Sequence, residues 1–266
     1  MIGATSGRRC GWGRQAAGVA ACAAGLACAR GPADAEAPGM RVLFVGNSLT
    51  YANELPEMVR ALAAAAGERL EVEMVAMPDW SLEDHWAGGG ARAAVARGGW
   101  DVVVLQQGPS ALPESRALLV DYAQRFAAEI REGDAEPALY AVWPSRARSG
   151  DFDRVSESYR QAAAVTAGIH LPAGEAWRAV WAADPTIALY GPDAFHPSEA
   201  GTYLAALVIY GRLFNRSPAG LPNTLRLRSG VTVRIPSATA SILQHAAESV
   251  LGRRAGRRAH AVIAPR

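Results

Sequence analysis

At 266 residues, half apolar and one fifth charged, the chain is long enough for one well-buried α/β domain and short for two. All 27 basic residues are arginine, which excludes a P-loop lysine, a Schiff-base lysine and a serine–lysine dyad. Residues 1–35 carry four Arg and one Asp, so the remainder holds 23 basic against 24 acidic residues and shows no nucleic-acid footprint.

The chain opens like an export leader. Arg8, Arg9 and Arg14 precede an apolar, alanine-rich stretch from Ala16 to Ala29, and Ala33-Asp34-Ala35 offers an A-x-A cleavage site. Gly25-Leu26-Ala27-Cys28 gives a competing reading as an imperfect lipobox, with Cys28 lipidated and the protein tethered to a membrane surface. Cys10, Cys22 and Cys28 all fall in this leader. A chain cleaved after Ala35 therefore has no disulfide, zinc–thiolate site or cysteine nucleophile. The expected organisation is a leader over 1–35, a linker over 36–39, a catalytic domain over 40–215 and a C-terminal extension over 216–266 with a basic tail at Arg253, Arg254, Arg257 and Arg258.

From residue 40 onward, short apolar runs alternate with longer helical patterns, the βαβ signature of a parallel sheet covered on both faces. The strands fall at Arg41–Val45, Glu71–Ala76, Asp101–Leu105, Ala138–Trp143 and Gly168–Leu171. Helical spacing of apolar residues marks 54–66, 84–96, 114–130, 152–167 and 198–214. Five βα units make a three-layer αβα sandwich with a five-stranded parallel sheet. Leu225–Leu227 and Val231–Ile235 predict a small hairpin, and 238–251 a final helix, as an appendage.

The first strand runs directly into Gly46-Asn47-Ser48-Leu49-Thr50, where ligands of open α/β sheets bind. Ser48 is either a nucleophile, with its own N–H and a following helix N-terminus facing a developing oxyanion, or a helix cap. A serine nucleophile needs a base held in one tautomer. Of the five histidines, His196 has Asp193 three residues before it on one loop, Gly191-Pro192-Asp193-Ala194-Phe195-His196-Pro197. His85, His170, His245 and His260 are more simply explained as structural. Trp80, Trp86 and Trp143 lie near strand ends, where Trp80 and Trp143, with Asn47, are candidates to line a pocket and equally to pack helices on the sheet.

Gly46-Asn47-Ser48-Leu49 resembles the GDSL block, and Asp193-Ala194-Phe195-His196 the DxxH block, of the SGNH/GDSL hydrolase superfamily. The resemblance covers residues 40–215, with both blocks in order at opposite ends of the βα domain. It implies a flavodoxin-like sheet, Ser48 attacking an ester carbonyl, His196 taking its proton and Asp193 orienting the imidazole. Asp79 stands where the second block has an oxyanion glycine, and Gln106-Gln107-Gly108-Pro109-Ser110 replaces Gly-x-Asn-Asp of the third. The oxyanion candidates are therefore the Ser48 and Asp79 backbones, Gln107 in preference, and Ser110.

The expected activity is a metal-independent esterase forming an acyl-serine, with no cofactor. Export points to short-chain acyl or acetyl esters of envelope or extracellular carbohydrates as substrates. The alternatives are an acyltransferase using the same triad and a catalytically silent carbohydrate-binding protein on the same fold. Neither a nucleic acid nor a resident metal is expected as partner, and the only expected membrane contact is through Cys28.

Overall fold

The computed structural model describes residues 39–252. The leader, the linker up to Pro38, all three cysteines, the four tail arginines and His260 lie outside the described residues. Five parallel strands, β1 (Met40–Gly46), β2 (Leu70–Ala76), β3 (Val102–Leu105), β4 (Glu136–Tyr140) and β5 (Ile169–Leu171), lie in the order β2-β1-β3-β4-β5. This is the flavodoxin-like order, and its switch point opens between β1 and β3. Pairing of Val45 with Leu105, and of Leu105 with Leu139, makes the three central strands end level. Val42 to Val45 and Val103 to Leu105 are buried throughout, as a sheet covered on both faces requires.

The helices follow in chain order as α1 (Ser48–Tyr51), a 3₁₀ turn (Ala52–Glu54), α2 (Leu55–Ala65), α3 (Leu82–Gly88), α4 (Gly90–Ala96), α5 (Pro113–Glu132), a 3₁₀ segment (Arg146–Asp151), α6 (Phe152–Val165), α7 (Ala173–Ala183), α8 (Glu199–Leu213) and α9 (Ser237–Leu251). One layer is built from α3 to α6, the other from α2 and α8, with α7 and α9 against α8. In α8 every residue from Gly201 to Gly211 is buried. A helix enclosed on all sides is apolar all round. Its entry depends on Gly201, where a Cβ would lie 2.3 Å from Leu189 O. No helix among the described residues is long and apolar enough to cross a membrane.

Three elements differ from expectation. The helix over 84–96 is two helices, because Gly89 at φ +73° ends α3 in the left-handed region. The strand expected at Ala138–Trp143 stops at Tyr140. Its apolar run continues because Ala141 to Pro144 form a buried loop. Helix α7 occupies a stretch to which the sequence reading assigns no element, and it begins directly after β5, with Pro172 at its N-cap.

The C-terminal hairpin, β6 (Thr224–Arg226) and β7 (Thr232–Arg234), and α9 pack on the domain. Leu225, Leu227, Val233, Ile235 and Leu243 join the same core as β1. Gln244 donates to the Tyr203 hydroxyl and to Leu221 O, while its Oε1 accepts from Gly220 N–H.

Trp177 anchors α7 to the rest. It is fully buried, stacks on Trp143 with ring centroids 3.6 Å apart and meets Tyr190 edge-on at 4.9 Å. Trp177→Ala is expected to cost about 3–5 kcal/mol, read from urea unfolding; a loss below about 1 kcal/mol would contradict this packing.

Candidate active site

The turn after β1 is built from side-chain amides. Asn47, not Ser48, is the N-cap of α1, its Oδ1 accepting from Leu49 N–H at 3.1 Å. The capping reading of Ser48 thus passes to its neighbour, and Ser48 becomes the first helical residue. It is almost buried, and neither its hydroxyl nor its N–H has a hydrogen-bond partner among the described residues. Because α1 is a single turn, its dipole is small; what the turn offers is a free N–H at the helix start.

Gln106, at the end of β3, holds this turn from the side. Its Oε1 accepts from Asn47 N–H at 2.9 Å and from the Thr50 hydroxyl at 2.6 Å, and its Nε2 donates to Asn47 Oδ1 at 2.9 Å. Gly46 is required here for clearance, since a Cβ would lie 2.3 Å from Thr50 Oγ1 and 2.4 Å from Gln106 Oε1. The sequence assigns Gln106 no role of its own; the tandem glutamines are the available signal, because adjacent residues at a strand end point to opposite faces.

The loop after β2 is pinned to the same turn at both ends. Met77 N–H donates to Gly46 O at 3.1 Å, and Asn47 Nδ2 donates to Trp80 O at 3.0 Å. Asp79 lies exposed between them at φ +59°, a conformation that glycine adopts freely and aspartate tolerates.

Several candidates have other duties. Gln107 spends its whole side chain on the loops, with Oε1 accepting from Leu82 N–H at 3.1 Å and Nε2 donating to Ser110 Oγ at 2.8 Å and to Ser115 O at 3.3 Å. Ser110 Oγ in turn donates to Gly108 O. Neither retains a hydrogen for an oxyanion. Asn47 is a structural clamp. Trp143 is fully buried and donates to Phe195 O at 3.1 Å, so it is a pillar under the Asp193–His196 loop. Trp80 is half-buried, edge-on to His85 at 5.0 Å, and Trp86 packs edge-on against Phe126 at 5.2 Å.

The second loop is a compact unit. Asp193 Oδ1 accepts from Phe195 N–H at 3.0 Å and His196 N–H at 2.9 Å, while Oδ2 meets His196 Nδ1 at 2.5 Å. Ala194 at φ +59° makes the reversal, and Gly191 N–H closes it onto His196 O at 2.7 Å. The His196 side-chain bond, followed by the Phe195 N–H bond, holds the Asp193 carboxyl at about 2, with slight desolvation acting the other way. Because this value is depressed, the contact is intact above the ordinary carboxylate range and is lost as pH falls towards about 2. Arg146 N–H donates to Ala194 O at 2.9 Å, tying the loop after β4 to this unit.

Asn53 brings the two loops together. Its Nδ2 donates to Pro197 O at 3.0 Å and to Thr202 Oγ1 at 2.8 Å, linking the segment just after Ser48 to the residue just after His196. Ser48 and His196 share no direct hydrogen bond. His170 and His245 lie on β5 and α9, outside both loops. His170 is half-buried on β5, with burial first and Arg212 second pushing it down to about 4. His245 Nδ1 contacts Ser241 O at 2.7 Å on α9. Between the loops after β3 and β4 and Phe195 lies a pocket of about 250 Å³, lined in part by Ser110, Leu112, Ser145, Arg148 and Asp151. Asp151 accepts from Arg148 Nε at 2.7 Å and also pairs with Arg154. Among the described residues, no group of three or more His, Cys, Asp or Glu side chains could hold a metal ion.

These features define a doubly wound α/β protein with its crevice at the carboxyl ends of β1 and β3. A protein from Slackia heliotrinireducens assigned to the SGNH hydrolases matches with a TM-score of 0.56 at 30% identity, over 66% of this chain and 100% of that one. The chain belongs to the SGNH hydrolase superfamily. A DUF4886 family protein from Bacteroides uniformis matches at TM-score 0.69 and 16% identity, over 80% of this chain and 95% of its own. A mutant of an acetyl-xylooligosaccharide esterase from Geobacillus matches at 0.51 and 15%, over 66% and 93%. These two share the fold. No protein-family profile matches the chain, and no curated protein matches it in sequence.

Gln106→Leu removes both the acceptor for Asn47 N–H and the donor to Asn47 Oδ1. It is expected to destabilise by about 1–3 kcal/mol for each buried group left unpaired, measured by denaturant unfolding; unchanged stability would show that the clamp is not used.

Proposed function

We propose that the chain is a metal-independent serine esterase, with Ser48 as nucleophile, His196 as base and Asp193 as the residue that orients it. The observation carrying this reading is the Asp193–His196 contact of 2.5 Å in a loop tied by Asn53 beside the Ser48 turn. A carboxylate that accepts from Nδ1–H leaves Nε2 as the basic nitrogen, the tautomer a serine nucleophile needs.

Ser48 Oγ attacks the ester carbonyl as its proton passes to His196 Nε2. The tetrahedral intermediate collapses, and the alkoxide leaves with that proton as an alcohol. Water then gives a proton to His196 and attacks the acyl-serine, and the acid departs as Ser48 regains its hydrogen. The oxyanion donors are the backbone N–H groups of Ser48 and Asp79. Support for this pair comes from the free Ser48 N–H and from the pinning of residues 77 to 80 against 46 and 47. The Asp79 carboxylate must point away from the developing charge.

The substrate class is a short-chain acyl or acetyl ester of an envelope or extracellular carbohydrate. The pocket of about 250 Å³ beside Phe195 supports an alcohol part of sugar size, with apolar walls for ring faces and Ser145 and Arg148 for hydroxyls. Residues 1–35 act as the export leader, and residues 216–252 of the C-terminal extension pack with the 40–215 domain. The sugar-ester activity in the name of the Geobacillus neighbour agrees in kind.

The test is turnover of 4-nitrophenyl acetate by the purified protein. Wild type is expected to turn over equally with and without a chelator. Ser48→Ala should abolish turnover, and Asp193→Asn should lower kcat by about 10²–10⁴-fold with the fold retained. Wild-type rates in the Ser48 variant would overturn the reading.

A further inference from the structure

His85, unsuited by position to act as the base, is fully buried on α3. Its Nε2 lies 2.7 Å from Gly46 O, two residues before Ser48. A carbonyl oxygen only accepts, so the hydrogen is on Nε2, and Nδ1 is an acceptor with no partner among the described residues. Burial lowers the pKa of the ring, with the bond to Gly46 O opposing it. Asp84 beside it is occupied by the Ser81 capping box.

The same Gly46 carbonyl accepts Met77 N–H at 3.1 Å. The Trp80 ring stands edge-on to the imidazole at 5.0 Å, and Trp80 O receives Asn47 Nδ2. His85 therefore touches the end of β1 and the loop after β2, the two segments whose N–H groups form the proposed oxyanion site. An apolar ring would fill this space without stranding an acceptor. What the histidine adds is its donor, and buried unsatisfied atoms retained beside a site call for such a reason.

We propose that His85 is a positioning residue: by holding the Gly46 carbonyl it keeps the Ser48 turn and the residue 77–80 loop in register. The proposal rests on the reading of Ser48 as nucleophile. His85 itself touches neither substrate nor reacting atoms.

The test compares wild type, His85→Phe and His85→Gln. The phenylalanine variant is expected to lose about 10–100-fold in kcat with little change in KM. Labelling by a fluorophosphonate should slow by the same factor, and amide exchange should quicken at residues 47–51 and 77–80 while β3 and β4 stay protected. Glutamine keeps an N–H donor and should recover most of each loss. Unchanged rates and exchange in His85→Phe, or a glutamine variant as impaired as phenylalanine, would overturn the proposal. If His85→Phe does not fold, nitrogen NMR of wild type decides: a protonated, slowly exchanging Nε2 supports the contact, and an unprotonated Nε2 defeats it. Wild type that never labels defeats the Ser48 reading and the catalytic part of this proposal with it; wild type that labels beside an indifferent His85→Phe defeats this proposal alone.

Discussion

The buried exchange of hydrogen bonds between Gln106 and Asn47 is the constraint on which the site depends. Three parallel strands end level, and at such an end the backbone ladder runs out, leaving donors and acceptors that must be paired in a dry interior. Gln106 supplies the pairing for Asn47 N–H, Asn47 Oδ1 and the Thr50 hydroxyl together. With those groups satisfied by their neighbours, Ser48 is held at the start of α1, its hydroxyl and N–H without a partner among the described residues. The arrangement is tight enough that Gly46 admits no side chain.

The Asp193–His196 loop solves the complementary problem. Both carboxylate oxygens are used within four residues, one for the backbone reversal and one for the imidazole, so the pair needs little help to keep its geometry. Help comes instead in placing the loop. Trp143 holds Phe195 O from below, Arg146 N–H holds Ala194 O from the side, and Asn53 ties Pro197 to the Ser48 segment. The stacked Trp143 and Trp177 rings carry that placement into the core formed by α7 and α8.

The sheet was legible because its central strands β1 and β3 carry continuous apolar runs and the covering helices repeat apolar residues at three or four. The boundaries that failed did so for local reasons. Gly89 breaks a helix without breaking the apolar pattern, and the buried loop after Tyr140 prolongs one. Helix α7 is hidden by starting directly after a short strand. In the proposed site, Asp193 and His196 stand out through their three-residue spacing, and Ser48 through its place just after the first strand. The duties of Gln107, Ser110 and Trp143 did not, because a polar or aromatic residue at a strand end serves the pocket or the scaffold according to where its side chain turns. Gln106 and His85 act across 59 and 39 residues of sequence, a separation no local pattern records.

The central claim is that Ser48 is the reactive nucleophile, and mapping a covalent adduct tests it most directly. Because arginine is the only basic residue besides histidine, trypsin releases Ser48 in the single peptide Val42 to Arg60, in which it is the only serine. After reaction with a fluorophosphonate, the adduct mass is predicted on that peptide, with fragmentation assigning it to Ser48 and with no adduct in protein carrying Ser48→Ala. An adduct on a different peptide, or folded protein that remains unlabelled, would contradict the account.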